Sequence, residues 1–446
     1  MRVLVVGGGA AGVSTALALK ELDAGVDVEL WESKPVLGGM ASSAQTPQGE
    51  WFNNGVQGIH ESFVHTRALL ESAGFPESSM QRTSLTSCFV TPDGTWISGV
   101  TDMTAWKRSI RNFRRMCKVA ARYPRFFGVW RIVDACALFA VARSFVTTVV
   151  LPTLALFFGT GNQVRNVPAS LAATVFTGTG AVTLFDLDPT RFIVTKRKNM
   201  LALPPLRQVY DSLRANLERA GVRVSTGRGA RSVSDADEGV TVVDTRGARL
   251  RFDKVVLACQ VPDLRRMLPR DYKAQRVLRH ARYYKDMSVT HRDTEHMRRH
   301  FDYREDVRIN YFIREHSVAR MDMGFALHRY QRGVSAPLYQ TLWLQGANGE
   351  PERNGRIRPD LVVREDEWLQ VGHTVRHFVR CVANVHKIQG PRIYFAGSWT
   401  LVNSHEVAVM SGIAAAQLVC GTRTFPRVTF GTRSPSFDMY ARIAMR

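Results

Sequence analysis

The chain lacks the cysteine pattern of a disulfide-bonded or zinc-binding protein. Six cysteines are spread over 446 residues, and none belongs to a C-x-x-C pair: Cys88, Cys117, Cys136, Cys259, Cys381 and Cys420. This spacing, with an N-terminus that opens on a strand and not on a secretory leader, predicts reduced thiols and a cytoplasmic protein. The chain also has no metal-ligand spacing and no Ser-His-Asp pattern, so neither a metal centre nor a hydrolytic triad is predicted.

Acidic residues are scarce in part of the chain. The net charge is +21, yet residues 1–104 carry 5 Lys/Arg against 11 Asp/Glu, whereas residues 105–145 carry 10 against one. Residues 421–446 hold five arginines and one aspartate, which predicts a basic C-terminal tail. A basic surface can serve nucleic acid, anionic lipid or an acidic substrate. No nucleic-acid-binding signature accompanies it, so no nucleic-acid partner is predicted.

No apolar run is long enough to span a membrane as a helix. The run SFVTTVVLPTLALFFGTG, residues 144–161, is interrupted by Pro152, whereas a spanning helix needs ~20 apolar residues. The run therefore predicts a shallow dip into one leaflet or the wall of an apolar substrate tunnel. Neither alternative is excluded by the sequence.

The basic segment before this run has helical spacing. Trp106, Ile110, Phe113 and Cys117 recur on one face, and arginines and lysines cover the rest. The pattern is typical of a helix lying on an anionic membrane, and also of an ordinary helix packed on a core. Residues 104–160 are therefore a candidate membrane surface, which would make the protein peripheral on the inner face of the membrane.

The N-terminus contains a complete dinucleotide-binding pattern. The buried-strand run VLVV leads into GGGAAG, with Gly7, Gly9 and Gly12 in G-x-G-x-x-G register, then a helical segment and a strand ending at Glu32. The glycines would allow a tight turn, a close approach of backbone to pyrophosphate, and close helix–sheet packing. The helix N-terminus would bind the phosphates and Glu32 the ribose.

The residues after Glu32 indicate which dinucleotide binds. ESKPVLGGMASS places a second glycine pair, Gly38-Gly39, six residues after the acid. This resembles the extended signature of the flavin amine oxidase and phytoene desaturase superfamily, which are Rossmann flavoproteins of the glutathione-reductase type. The resemblance implies FAD, and no cysteine stands where covalent flavin attachment would be expected, so FAD is predicted to be noncovalent.

Four later segments resemble the superfamily's other flavin-contacting pieces, in the same order. They are residues 49–75, 206–243, 248–268 and 393–412. The motif and the resemblance together imply these cofactor-binding residues: Gly7, Gly9, Ala10, Ala11, Gly12, Glu32, Gly38, Gly39, Met40, Gln57, Ala230, Ala258, Gly397, Ser398, Glu406, Val407 and Ala408.

The predicted fold class is α/β with two domains. A discontinuous Rossmann-type FAD-binding domain is assembled from residues 1–90, 206–270 and 386–420. A mixed α+β substrate domain is assembled from residues 91–205 and 271–385. No oligomeric state is predicted.

The predicted function is that of an FAD-dependent oxidoreductase. Segments such as SVTHRDTEHM and GFALHRYQ resemble a branch of the superfamily often linked with lipid modification. The chain departs from that branch at Arg292, where threonine is expected, and at Asn403-Ser404, where Gly-Phe is expected. The resemblance implies oxidation, desaturation or isomerisation of a hydrophobic, lipid- or polyene-like metabolite by hydride transfer. Oxidation of an amine, with Trp399 as one aromatic wall, and a non-enzymatic lipid carrier are the alternatives.

Three histidines are candidates for proton transfer: His60 near the expected flavin ring, His291 two residues before an aspartate, and His405 at the start of the last flavin helix. Glu406 lies in the first turn of that helix, where an acid is favoured by the helix dipole. Two predictions for Glu406 stay open, a cofactor-facing role and a catalytic one. The backbone N–H groups of Val407 and Ala408 are predicted to face the flavin.

Overall fold

The structure of the protein is a computed structural model. It describes residues 1–158, 163–177, 185–194, 198–317, 320–346 and 349–445. All six cysteines are free thiols. Among the described residues, no helix is both long and apolar enough to cross a membrane.

A five-stranded parallel sheet forms the first layer. Its strands lie side by side in the order Arg223–Thr226, Asp27–Glu32, Arg2–Val6, Lys254–Leu257 and Ile393–Phe395. The central strands are buried runs rich in Val and Leu, as a parallel sheet covered on both faces requires. The predicted Rossmann-type α/β fold is confirmed.

Helices cover this sheet, and the two most closely packed come from opposite ends of the chain. A Cβ atom added at Gly412 would lie 2.4 Å from the Ala11 carbonyl oxygen. Only glycine therefore allows the helix His405–Cys420 to pack this closely on the helix Ala10–Leu22. The helices of this layer are Ala10–Leu22, Val64–Ser72, Leu206–Arg219, Val261–Met267, Gln275–Leu278, Val375–Arg380 and His405–Cys420.

A seven-stranded sheet forms the second layer. Its order is Val362–Val371, Tyr283–His291, Tyr339–Trp343, Arg320–Ala326, Tyr311–Ser317, Ser87–Thr91 and Gly94–Ile97, and all neighbours except Tyr311–Ser317 with Ser87–Thr91 are antiparallel. The strand Ser87–Thr91 crosses the boundary predicted at residue 90. The domain ranges as a whole stay a prediction.

Smaller sheets connect these layers. Three antiparallel strands follow the helix Leu206–Arg219 and its strand, and three more link the two layers near residue 58. The first of these sheets contains Ala230–Ala236, Gly239–Asp244 and Arg249–Phe252. The second contains Gly58–His60, Met200–Ala202 and Gln81–Thr83. Two two-stranded ribbons pair Ser43–Gln45 with Trp51–Asn53 and Asp186–Asp188 with Phe192–Val194.

A helical layer packs on one face of the seven-stranded sheet and forms a second hydrophobic core. Its helices are Lys107–Arg122, Pro124–Phe127, Ile132–Leu138, Arg143–Phe145, Leu151–Phe158 and Ala169–Thr177, with a π-helical turn at Val146–Val150. A short helix, Thr294–Phe301, covers the sheet's other face.

The apolar residues of this layer, which were predicted to face either a membrane or a core, pack in the second core. Ile110, Phe113 and Cys117 are buried in the second core and not turned to the outside. The apolar run is likewise buried from Val149 to Ala155 and packs in the second core. Its residues 159–161 lie outside the described part of the chain. Contact of residues 104–160 with a membrane stays a prediction.

The segment predicted as a basic C-terminal tail, residues 421–446, contains two helices among its described residues. The helices Arg427–Phe430 and Pro435–Ala444 pack on the first core. Phe430, Phe437 and Tyr440 are each at most 1% exposed. Arg442, the arginine within the second helix, is exposed, and Arg433 lies over the Phe437 ring at 5.5 Å from its centroid.

The two faces of the seven-stranded sheet carry different side chains. We call the face toward the helical layer and residues 54–57 the inner face, and the face under Thr294–Phe301 the outer face. Ser288 and Gln340 lie on the inner face, where the Gln340 amide donates to Ser288 Oγ at 2.7 Å. His291 and Thr341 lie on the outer face, with 3.0 Å between His291 Nε2 and Thr341 Oγ1. The period-two alternation of strands separates these neighbours.

Candidate functional site

The first glycine turn has the geometry of a phosphate-binding turn. Gly7 has φ +106°, and its N–H donates to the Trp31 carbonyl at 2.8 Å. A Cβ atom on Gly12 would lie 1.8 Å from the Gly7 carbonyl oxygen, so only glycine fits there. The helix Ala10–Leu22 has Gly9 as N-cap and no side-chain cap, which leaves its first N–H groups, including those of Ala10 and Ala11, for an anionic ligand.

The second glycine pair lies directly on the first. Gly38 N–H donates to the Gly8 carbonyl at 2.9 Å, and Gly9 and Gly38 form a β-bridge. Gly38 and Gly39 have φ of +120° and +62°, values that side chains disfavour. A Cβ atom on Gly9 would meet nothing nearer than 3.8 Å. The two glycine segments therefore border a space that is open at Gly9.

The predicted ribose ligand is buried at the end of its strand. Glu32 Oε2 accepts from Gly8 N–H at 2.7 Å, and Oε1 accepts from Lys34 N–H at 2.8 Å. Arg228 lies beside it. The Arg228 guanidinium is 4.0 Å from the Trp31 ring centroid, and the Arg228 backbone N–H donates to the Glu32 carbonyl at 2.8 Å. Ala230 begins the strand two residues later. The structure thus brings together the residues predicted to bind the adenosine half.

Two more predicted cofactor residues complete this surface through their backbone. Ala258 N–H donates to the Val6 carbonyl at 2.8 Å, next to the Gly7 turn. The Met40 carbonyl accepts from Val56 N–H at 3.1 Å, and a Cβ atom on Gly55 would lie 2.0 Å from it. Residues 40 and 54–57 therefore pack as one layer above the glycine turns.

The C-terminal segment, which was predicted to face the flavin with two backbone N–H groups, differs from that prediction. Gly397 has φ +139° and donates from its N–H to Ser411 Oγ at 2.8 Å. Ser404 is the N-cap of the last helix: its Oγ accepts from Val407 N–H at 3.2 Å and its carbonyl from Ala408 N–H at 3.1 Å. The two N–H groups predicted to face the flavin are therefore already hydrogen-bonded. An N-cap serine takes the third N–H of its helix, and the fourth is bonded within the helix.

The Glu406 side chain caps another helix. Its carboxylate accepts from His65 N–H at 3.0 Å and from Thr66 N–H at 2.7 Å, at the start of the helix Val64–Ser72. That helix has no side-chain cap of its own. The structure thus places this carboxylate, predicted to bind the cofactor or to be catalytic, between two helix N-termini.

The three candidate histidines are not brought together. His405 is buried between Tyr210 Oη at 2.8 Å and Thr66 Oγ1 at 3.2 Å, and burial lowers its pKa to about 4. His60 Nδ1 lies 2.7 Å from Ser62 Oγ. His291 lies on the outer face of the sheet, where burial lowers its pKa to about 3. Its Nδ1 accepts from the N–H of Asp293, whose own side chain caps the helix Thr294–Phe301.

The inner face presents a polar network that sequence reasoning missed. The Gln57 side chain is bonded to both Gln340 and Tyr330. Gln340 also donates to the Asn54 carbonyl at 2.9 Å, and the Asn54 amide donates to Asp366 at 2.7 Å. Gln57, predicted as a cofactor residue, thus links the glycine-rich domain to the second sheet.

Three buried polar atoms in this region have no hydrogen-bond partner among the described residues: Asn54 Oδ1, Thr290 Oγ1 and Trp368 Nε1. Buried polar atoms are nearly always paired, so such a group of three points to a ligand or ordered water. A Cβ atom on Gly55 would lie 3.6 Å from the Trp368 ring. The unpaired atoms therefore border the same layer that the glycine turns support.

Asp286 is a buried acid of the inner face. Its carboxyl is fully buried, Oδ1 accepts from Gln345 N–H at 3.0 Å, and burial raises its pKa to about 7. The adjoining Gln370 accepts from Asn403 Nδ2 at 3.2 Å, and Asn403 Oδ1 accepts from Ser398 Oγ at 3.1 Å. A line of polar groups therefore runs from this acid to the predicted flavin segment. Period-two polar spacing in YYKDMSVTH was the only signal in the sequence.

These features define a class of protein. The fold, the paired glycine turns, the uncapped helix N-terminus and the buried Glu32 are those of a dinucleotide-binding Rossmann flavoprotein.

Comparison with known proteins agrees. The model of the NAD(P)-binding Rossmann-like domain matches residues 5–73, and that of the flavin containing amine oxidoreductases matches residues 127–291. These matches support the flavin amine oxidase superfamily, and a flavin-dependent oxidoreductase, for this chain. Comparison with curated protein sequences gives no match.

Solved structures with different activities share this fold. A proposed protoporphyrinogen oxidase from Exiguobacterium sp. 255-15 is 14% identical with a TM-score of 0.66, over 93% of this chain and 98% of that one. A putrescine oxidase double mutant is 15% identical with a TM-score of 0.67, over 94% and 99%. A fatty acid isomerase from P. acnes is 12% identical with a TM-score of 0.68, over 94% and 98%. Identities this low indicate the fold and leave the substrate undetermined.

Proposed function

We propose that the protein is an FAD-dependent oxidoreductase that oxidises, desaturates or isomerises a hydrophobic metabolite. The observation that carries the cofactor assignment is the open space at Gly9, between two glycine segments and an uncapped helix N-terminus. FAD fits this surface better than a mononucleotide, because Glu32 and Arg228 extend it toward an adenosine half. Bound FAD would supply hydride transfer.

Gly9 offers a direct test of the cofactor assignment. Gly9→Ala adds a methyl group to the space expected for pyrophosphate, yet that group meets no protein atom closer than 3.8 Å. We expect a folded protein with FAD affinity reduced about tenfold or more, measured by flavin fluorescence. Gly25→Ala, in the loop after the same helix, is the matched control. Unchanged affinity for FAD, or equal affinity for FMN, would contradict the assignment.

The protein's own residues would orient the substrate on the inner face. Gln340 fixes Gln57 and the Asn54 carbonyl, and leaves unpaired polar atoms to bind one polar end of a substrate. Asp286, with its pKa raised to about 7, holds a proton on its carboxyl near neutral pH. Aromatic side chains adjoin the network, with the rings of Tyr311 and Tyr330 stacked at 5.5 Å. A polar end next to aromatic walls supports a lipid- or polyene-like substrate.

Amine oxidation is the main alternative. Trp399, the one aromatic wall that the sequence offered for an amine, is 1% exposed and belongs to the first core. Asp366, the carboxylate bonded to Asn54, is paired with Arg364 at 2.8 Å. Neither side chain is placed to bind an amine. Anaerobic bleaching of the flavin by fatty acids or polyenes, and not by amines, would support the proposal; bleaching by amines alone would favour the alternative.

A lipid carrier of the same fold is the alternative from another class. It predicts that the purified protein lacks flavin absorbance near ~450 nm even after FAD is added. The intact glycine turns and the buried Glu32 support the enzyme. Absence of a flavin band after reconstitution would overturn the enzyme assignment.

We further propose that the enzyme docks on anionic membrane through an exposed surface at residues 123–138. Tyr123, Phe126, Val129 and Leu138 are each between 55% and 59% exposed, an unusual group of large apolar side chains. Arg122 and Arg125 are exposed beside them. Aromatic residues flanked by arginines match the interface of an anionic bilayer.

Liposome flotation tests this surface. Wild type should float with vesicles containing anionic lipid at low salt and less at high salt, because charge attraction is screened. Phe126→Ser with Val129→Ser should reduce flotation, whereas Val428→Ser, which removes an apolar side chain that is 89% exposed elsewhere, should not. Wild type that stays with the soluble fraction would refute membrane docking.

A further inference from the structure

Three potential metal ligands converge on the outer face of the seven-stranded sheet. Asp322 Oδ2 lies 2.9 Å from His300 Nε2 and 2.8 Å from His316 Nε2. The three ligand atoms all lie within 4.8 Å of one another. They come from three elements, the helix Thr294–Phe301 and the strands Tyr311–Ser317 and Arg320–Ala326. For this reason they do not form a recognisable metal-ligand spacing in the sequence.

The charge of this cluster is not balanced by a cationic side chain. The Asp322 side chain is 1% exposed, and within the described residues its ion-pair partners are the two histidines alone. A buried carboxylate needs a positive charge or strong hydrogen bonds to offset its desolvation. Both imidazoles direct a ring nitrogen at the same oxygen of Asp322. A divalent cation bound among these three side chains would supply the positive charge.

The groups around the cluster hold the ligands in place, as outer partners do in metal sites. Asn354 Nδ2 donates to the other oxygen, Asp322 Oδ1, at 3.2 Å. The His300 ring stacks on His296 with 5.0 Å between centroids, and the His300 carbonyl accepts from Arg314 at 2.7 Å. The ligand side chains are therefore oriented by contacts that do not depend on the ion.

We infer that His300, His316 and Asp322 form a binding site for a divalent transition metal ion of the zinc class. Two imidazole nitrogens and one carboxylate oxygen are ligands that Zn²⁺ prefers, and tetrahedral ligands about 2.0–2.1 Å from zinc lie roughly 3.3 Å apart. The two separations between Asp322 Oδ2 and the histidine nitrogens, 2.9 and 2.8 Å, need only a small expansion to reach that value. The His316 side chain is 21% exposed, so the fourth position and the route of entry lie on its side.

The site would tie the outer-face helix to a β-hairpin of the second sheet. It lies on the face opposite the polar network, so it is separate from the proposed oxidoreductase chemistry. A bound ion that joins three elements stabilises the folded state in proportion to its affinity. We therefore expect added metal to raise the melting temperature whether or not flavin is bound.

Cobalt substitution tests the site without an activity assay. Tag-free protein is treated with EDTA, desalted, titrated with CoCl₂, and then challenged with ZnCl₂. We expect one equivalent of Co²⁺ to give visible d–d bands that zinc removes, and zinc to raise the melting temperature. Absence of these bands, or bands that zinc leaves unchanged, would overturn the inference and leave a carboxylate shared by two imidazole donors.

Two variants separate metal binding from structural effects. His316→Gln, at the exposed edge, keeps a hydrogen-bonding side chain but removes the imidazole, and should weaken Co²⁺ binding by about 100-fold or more. Asp322→Asn should do the same while preserving an acceptor for the histidines. His280→Gln, a histidine outside the cluster, is the matched control and should bind like wild type. Wild-type binding in His316→Gln, with circular dichroism confirming its fold, would also refute the site.

Discussion

The two faces of the seven-stranded sheet are built by the same strands but carry different chemistry. The inner face holds amides, a hydroxyl and an acid whose pKa is raised by burial, next to the glycine-rich domain, and Gln340 makes most of its hydrogen bonds. The outer face holds a row of histidines from the sheet and from the short helix that covers it, and Thr341 contacts two of them, His291 and His296. One residue of displacement along a strand thus decides whether a side chain meets the candidate substrate site or the candidate metal site.

This difference teaches how to weigh the histidines. A buried histidine near an aspartate in sequence looks like a proton-transfer pair, and His291 with Asp293 has that appearance. On the outer face the same pair ends a strand and caps a helix. The acid Asp286, which the sequence did not single out, is the better candidate because it lies on the correct face.

The strongest test of the comparison substitutes adjacent residues on opposite faces. Gln340→Leu should slow reduction of the flavin by substrate about 100-fold, because Gln57 and the substrate lose their fixed positions. Thr341→Val should leave that rate within about threefold, since its side chain contacts only outer-face histidines. Anaerobic stopped-flow absorbance measures both rates. Equal effects of the two substitutions would remove the functional distinction between the faces.

A second test uses a buried carboxylate that belongs to neither face. Glu406→Gln should lower the free energy of unfolding by about 1.5–3 kcal/mol, because a charged acceptor of two N–H groups is lost. Urea denaturation of the flavin-free protein measures it. A changed flavin potential with normal stability would restore the cofactor-facing role, and normal stability and binding with abolished turnover would restore the catalytic one.

Asp286 predicts a pH dependence specific to the inner face. Its folded pKa, about 7, lies above the ordinary value of 3.8, so the folded state binds the extra proton between these values. Its contribution to stability is therefore fully present below pH 3.8 and is lost as the pH rises to about 7. Asp286→Asn should remove this loss and gain on the order of 1–3 kcal/mol at pH 8 relative to wild type. A constant difference across pH, measured by urea titrations, would show that the acid is not buried as described.

The smallest expected effect concerns His291. His291→Gln should change flavin reduction by no more than about twofold at neutral pH, because its lowered pKa keeps the imidazole neutral and it lies on the outer face. The wild-type histidine destabilises the fold as the pH falls from 6.5 toward 3, so the variant should unfold at lower pH. If the plot of flavin-reduction rate against pH lost its acidic or basic limb in this variant, His291 would again be a candidate for proton transfer.

The sequence predicted what depends on neighbouring residues. The turns at Gly7 and Gly38 and the strand ending at Glu32 are encoded locally, and the structure brings them into contact. Sequence reasoning failed where the partner is distant. The carboxylate of Glu406 meets the N-terminus of a helix near residue 64, and the apolar face of Lys107–Arg122 meets a second core in place of lipid. The metal cluster and the polar network also combine residues far apart in the chain, which periodicity does not reveal.

The close packing of two helices at Gly412 has a consequence for biosynthesis. The helix Ala10–Leu22 finds its closest partner in His405–Cys420, and the edge strand Ile393–Phe395 completes the parallel sheet. Domains fold as units during synthesis from the N-terminus onward. The N-terminal glycine-rich segment, although translated earlier, must therefore wait until residues 393–420 have left the ribosome. Nascent chains that stop before residue 393 lack that closing strand and helix, so cofactor capture requires translation through residue 420.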